Sequence, residues 1–229
     1  MFRTLLTAHS GCDGMKDNSM EFVSYALGLA VDAIEVDVRK GSGGTLVLAH
    51  DDGPANATLF DVFLAMKAHP EKKLNCDLKQ DNLELDVWRL AKQAGTDRQI
   101  IFSGTVSWDA AKADPAIFKH ADWLVNIELL FPEIKELGLT EAVGVLGPVY
   151  MAGKLQEFIT SKGARCVNTH YSIASTPLYL ELKKRQIPVS VWTPDDVLLI
   201  RRFMADGIYN ITTRNAKGAC GIVHDRQNI

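Results

Sequence analysis

Short apolar runs recur along the chain at 4–9 (TLLTAH), 33–38 (AIEVDV), 73–79 (KLNCDLK), 99–103 (QIIFS), 123–128 (WLVNIE), 165–170 (RCVNTH), 188–192 (PVSVW) and 207–212 (GIYNIT). Each has the length of a strand. Between them lie segments with helix patterning, such as 20–30 (MEFVSYALGLA), 83–95 (LELDVWRLAKQAG) and 177–186 (PLYLELKKRQ). Strands that alternate with helices pair in parallel through crossover units. Eight such strands in 229 residues predict an α/β fold, a (β/α)8 TIM barrel built as one domain over 1–229. A doubly wound open sheet is the runner-up, since periodicity does not separate the two.

Local signals refine this scheme. Asn18 and Glu21 have capping-box spacing ahead of the first helix, and Gly95 and Gly163 fall where helices should stop. A turn through Gly41, Gly43 and Gly44 leads into 45–50 (TLVLAH), which reads as a short extra strand pairing back on 33–38. The stretch 129–154 reads as a long loop with one or two short helices.

The strand period also sorts the chemistry. Successive side chains alternate across a strand, so Glu35 and Asp37 share one face while Ile34, Val36 and Val38 share the other. On the next barrel strand, Asn75, Asp77 and Lys79 face one way and Leu74, Cys76 and Leu78 the other. The apolar faces should pack on helices. Glu35, Asp37 and Asp77 would then meet inside the barrel near the strands' carboxyl ends, where such barrels carry their sites. Three clustered carboxylates repel one another unless something neutralises them. Oxygen-only ligands favour Mg²⁺ or Ca²⁺ as the divalent cation; an ion-pair network with Lys79 and Arg39 is the structural alternative. His9 and His50 end the matched runs LLTAH and LVLAH on either side of the carboxylate pair. Imidazole titrates nearest neutrality, so the two suit an acid and a base acting in one displacement.

Composition narrows the partners. A formal charge of −3 provides no broad field for a polyanion, so nucleic acid is not expected. No apolar stretch approaches the roughly 20 residues of a membrane helix, and MFRTLLTAHSG does not read as a secretory leader. A soluble, cytoplasmic protein without stable membrane insertion is expected. Cys12, Cys76, Cys166 and Cys220 form no C-x-x-C pair and are expected to be reduced.

In order, AHSG (8–11), DNS (17–19), AVDAIEVDV (30–38), HD (50–51), DLK (77–79), WTPDD (192–196) and GIYNITT (207–213) resemble the motifs of the glycerophosphodiester phosphodiesterases. The resemblance implies a hydrolase of small phosphodiesters releasing an alcohol and glycerol 3-phosphate. His9 and His50 would be its general acid and base, and Glu35, Asp37 and Asp77 its cation ligands. Lys79 would neutralise phosphate charge, and Trp192 would wall the pocket. Two residues depart from the pattern. Ser10 stands where an Arg usually follows the first His, so phosphate contact would come from its hydroxyl, or from Lys16 or Arg39. Asp77 stands in place of Glu. The insertion that many relatives carry after the HD pair is also short here. Two other readings follow: cleavage of a lysophospholipid or formation of a cyclic phosphate, as in the related sphingomyelinase D enzymes, and a barrel that binds phosphate esters without turnover.

Overall fold

Eight parallel strands close into a barrel in the computed structural model, which describes residues 3–55 and 57–227. They are β1 (Leu5–Ala8), β2 (Ala33–Lys40), β4 (Lys73–Leu78), β5 (Ile100–Gly104), β6 (Asp122–Asn126), β7 (Cys166–His170), β8 (Val189–Trp192) and β9 (Asn210–Thr213). The short strand β3 (Leu46–Leu48) lies antiparallel on β2, pairing Val38 with Leu48. Closure comes from β1, which pairs with β2 through Thr7 and Ala33 and with β9 through Leu5 and Asn210. The open-sheet alternative is thereby removed, and the extra strand lies where the glycine turn predicts it.

The outward apolar positions and the inner faces of the helices form one continuous core. Ile34, Val36, Val38, Leu74, Cys76 and Leu78 are all fully buried within it. Inside the barrel the side chains form a graded stack. Ala33, Ile101, Leu124 and Cys166 make a small apolar layer of their own. One step further along the strands, Thr7 donates to Asn210 Oδ1 at 2.8 Å, and Asn210 donates to Ser190 Oγ at 3.0 Å. This polar layer satisfies groups that would otherwise be costly to bury. Above it the strands end in the acidic and imidazole residues.

Two sequence expectations change. Ser19, not Asn18, caps helix Met20–Leu27, accepting the Phe22 amide at 3.1 Å. The stretch 129–154 is mostly helical, running through Glu133–Leu137, Leu139–Leu146 and the first half of Pro148–Lys162. Gly138 and Gly147, both at positive φ, separate these helices, and those glycines gave the stretch its loop-like composition. Gly95 and Gly163 do end helices in the left-handed conformation. The four cysteines are free.

Gly104 ends β5 beside the site with φ +78°, and a Cβ there would lie 2.4 Å from the Leu78 carbonyl oxygen. Gly104→Ala is expected to destabilise the fold by at least about 1–3 kcal/mol, the cost of holding a non-glycine residue in a disfavoured backbone region. Urea denaturation monitored by circular dichroism measures it.

Candidate active site

A cavity of about 520 Å³ opens at the carboxyl ends of the strands, and His9, Glu35, Asp37, His50, Asp77, Lys79 and Trp192 all line it. Seven of the eight residues singled out by sequence therefore meet in one place. Ser10 does not. Position 10 has the parity of Ala8, which faces the helices, and Ser10 is 1 % exposed. Its hydroxyl accepts the Asn18 amide at 2.7 Å. It braces the site from behind and has no access to a ligand in the cavity.

The carboxylates come together because Asp37 and Asp77 are direct partners in the β2–β4 register, with Glu35 opposite Asn75. Glu35, Asp37 and Asp77 each offer an oxygen within 4.8 Å of the others. Lys79 Nζ lies 2.9 Å from Asp37 Oδ1 and 2.6 Å from Asp77 Oδ2. Burial works against the lysine's charge, but Asp77 and Asp37 outweigh it and hold its ammonium well above the ordinary lysine value. The ion-pair alternative is thus realised in part, through Lys79 and without Arg39. Arg39 instead donates to Asp52 and to the His50 carbonyl.

One ammonium does not balance three carboxylates. Desolvation, followed by the charges of Asp77 and Asp37, pushes the buried Glu35 carboxyl well above its usual range. Its Oε2 is buried with no hydrogen-bond partner, an arrangement that normally costs stability. A divalent cation fits this donor set: the oxygens converge, the ligands are hard, and the unpartnered oxygen points to a missing positive charge.

The histidines differ. His9 follows β1, and its amide donates to the Thr213 carbonyl at 2.9 Å. Its Nδ1 lies 2.8 Å from the Ser10 carbonyl oxygen. A carbonyl only accepts, so Nδ1 carries the proton and Nε2, 3.7 Å from Glu35 Oε2, keeps a lone pair. Burial lowers the His9 pKa from the ordinary histidine value. His50 is exposed at the rim, with Nδ1 3.1 Å from Asp51 Oδ1. Trp192 stands at the end of β8, edge-on to His170 with ring centroids 5.4 Å apart.

Sequence reasoning missed Asn18 and Arg214, both in the lining. Asn18 adopts φ +51°, which carries it out of the cap position and onto Asp37. Its Nδ2 donates to Asp37 Oδ2 at 2.7 Å, and its Oδ1 accepts the Asp37 amide at 3.0 Å. The DNS motif held the signal, but helix-cap spacing offered a competing explanation. Arg214 follows β9 directly and shares the parity of the inward residues Asn210 and Thr212. The rule that barrel sites gather at strand ends would have flagged it. Lys16 lies outside the lining.

A (β/α)8 barrel with paired histidines over an acidic cluster is thus the class that fold and site define. No protein-family model matches the chain. In sequence the chain is 23% identical to the glycerophosphodiester phosphodiesterase GDPD4 of Arabidopsis thaliana, over 96% of this chain and 74% of that protein. In fold it resembles a putative glycerophosphoryl diester phosphodiesterase from Agrobacterium tumefaciens, with a TM-score of 0.72, 13% identity and full coverage of both chains. A phosphodiesterase from Oleispira antarctica, solved with the product sn-glycerol-3-phosphate, gives 0.67 at 15% identity, covering 97% of this chain and 98% of that one. The resemblance to the glycerophosphodiester phosphodiesterases therefore holds in sequence and in fold across nearly the whole chain. Among the described residues no helix is long and apolar enough to cross a membrane.

Removing the bracket that Asn18 forms on Asp37 should loosen a ligand without deleting it. Asn18→Ala is expected to weaken Mg²⁺ or Ca²⁺ binding by roughly 10- to 100-fold, the usual effect of losing a residue that orients a metal ligand. Isothermal titration calorimetry against wild type reads the change.

Proposed function

We propose that the protein is a cation-dependent phosphodiesterase that hydrolyses glycerophosphodiester-type substrates to an alcohol and glycerol 3-phosphate. The observation that carries this reading is the meeting of His9 and His50 with Glu35, Asp37 and Asp77 in one cavity. Similarity to GDPD4 over 96% of the chain supports it.

Glu35, Asp37 and Asp77 would hold the cation, Mg²⁺ or Ca²⁺, which when bound supplies Lewis-acid stabilisation of charge on a phosphate oxygen. The rest falls to side chains. His9 Nε2, with its lone pair free because Nδ1 is committed to the Ser10 carbonyl, takes a proton from the attacking water. The water oxygen bonds to phosphorus as the phosphorus–oxygen bond to the alcohol breaks. His50 gives its proton to the departing alcohol oxygen. Lys79, held between Asp37 and Asp77, keeps those ligands in place; its part in phosphate contact is secondary to that pairing. Trp192 walls the cavity on one side.

Three outcomes test the reading. With glycerophosphocholine and added Mg²⁺ or Ca²⁺, His9→Ala and His50→Ala should each lower kcat by about 100-fold or more, the scale of acid–base catalysis. Phosphorus NMR should show a linear phosphomonoester. Wild-type turnover in both variants contradicts the acid–base pair, and a cyclic phosphate replaces hydrolysis with intramolecular transfer.

The pH dependence has a definite sign. His9 must be neutral to accept a proton, and burial lowers its pKa from the ordinary histidine value, so the part of kcat/KM that depends on His9 should be retained through mildly acidic pH and lost on further acidification. Cation affinity should also fall on acidification, because the raised Glu35 carboxyl must lose its proton to become a ligand. Calorimetry of cation binding in buffers of different ionisation enthalpy detects the released proton. Binding without proton release contradicts the role given to Glu35.

A further inference from the structure

A phosphodiester arrives with a negative charge, and the cavity's most deeply placed protein cation is already committed. Lys79 is bonded to Asp37 and Asp77 at 2.9 and 2.6 Å, Arg39 is turned to Asp52 and the His50 carbonyl, and Ser10 is sealed behind the site. We propose that Arg214, at the end of the last strand, is the residue that grips the substrate's phosphate beside His9. This inference rests on the phosphodiesterase reading and names the phosphate contact within it.

Arg214 is held in register with His9 by the barrel closure. Thr213, the residue before it, accepts the His9 amide at 2.9 Å. Asp195 then fixes the turn: one carboxylate oxygen accepts the Arg214 amide at 2.8 Å and the Thr213 hydroxyl at 3.0 Å. The backbone from which Arg214 projects is therefore as rigid as the strand pair itself. Its guanidinium reaches across the bare face of Gly11, which has φ +72°; a Cβ there would overlap the Asp17 carboxylate and lie 3.1 Å from Arg214 Nη1. Glycine at 11 leaves the space that the ion pair occupies.

The guanidinium is close enough to His9 that its charge opposes protonation of the imidazole. It stands at the rim of the cavity, its side chain 43% exposed, with Nη1 donating to Asp17 at 2.8 Å. A guanidinium has five N–H donors in a fixed fork, so the bond to Asp17 orients the group and leaves donors for two phosphate oxygens. Arginine at this point suits a planar, bidentate contact in a way that lysine does not. The position has a chemical consequence: a cation on the same side of the cavity as the base holds the phosphorus within reach of a water that His9 deprotonates.

The test compares Arg214→Gln and Arg214→Lys with wild type, using glycerophosphocholine as substrate and sn-glycerol 3-phosphate as a competing ligand. Loss of a charge-assisted contact should raise both KM and the inhibition constant of glycerol 3-phosphate by roughly 10- to 100-fold in Arg214→Gln. Arg214→Lys should recover only part of this. Melting temperature and calorimetric cation affinity should stay at wild-type values, which separates a lost phosphate contact from a damaged site. If wild type turns over the diester and Arg214→Gln leaves both constants unchanged, the proposal is overturned while the phosphodiesterase reading stands. If wild type turns over no diester yet binds glycerol 3-phosphate through Arg214, the grip survives and the reading fails. A wild-type protein with no affinity for glycerol 3-phosphate overturns the grip.

Discussion

Mutual repulsion among Glu35, Asp37 and Asp77 is the constraint around which the mouth of this barrel is organised. At separations within 4.8 Å, each pair of ionised carboxylates repels by at least roughly 3–4 kcal/mol at an effective dielectric near 20. Lys79 offsets part of this, and the upward shift of Glu35 offsets more by keeping its proton. With Glu35 protonated one negative charge remains, and once that proton leaves the cluster carries two, the charge a divalent cation neutralises. The strands supply the rigidity that keeps the carboxylates together, because the β2–β4 register that sets Asp37 beside Asp77 also buries Val36, Cys76 and their neighbours in the core.

The surrounding residues make sense as responses to that constraint. Asn18 takes a left-handed conformation so that its amide can bracket Asp37 from both sides. The Ser10 hydroxyl secures the Asn18 backbone, and the Ser10 amide donates to Glu35. The Ser10 carbonyl sets the tautomer of His9. One buried serine thus supports a carboxylate, an amide bracket and an imidazole through three separate groups. Replacing it with a long charged side chain would remove the hydroxyl bond to Asn18 and force that side chain into a position that is 1 % exposed.

Much of this was legible in the sequence because alternation is a strong rule. The parity of 35 and 37, and of 75, 77 and 79, correctly gave the inward face, and the glycine turn before 45–50 gave the extra strand. The residues that were misread stand where two local rules compete or where long-range pairing decides. Asn18 satisfied cap spacing, yet Ser19 one residue later does the capping. Ser10 was judged by its place in a motif when its parity with Ala8 already turned it outward. Arg214 had no local signal besides its place after a strand. Its proximity to His9 arises only from the β1–β9 pairing that joins the two ends of the barrel. For Lys79 the sequence offers both phosphate contact and pairing with the carboxylates, and the geometry gives its ammonium to the two aspartates.

The central claim is that this acidic cluster is a divalent cation site. Anomalous diffraction from crystals grown with Mn²⁺, recorded near the manganese edge, tests it most directly. A single strong peak bounded by Glu35, Asp37 and Asp77 is expected, with the Lys79 ammonium drawn away from at least one aspartate. No peak there, with Lys79 still bridging Asp37 and Asp77 at saturating Mn²⁺, would contradict it.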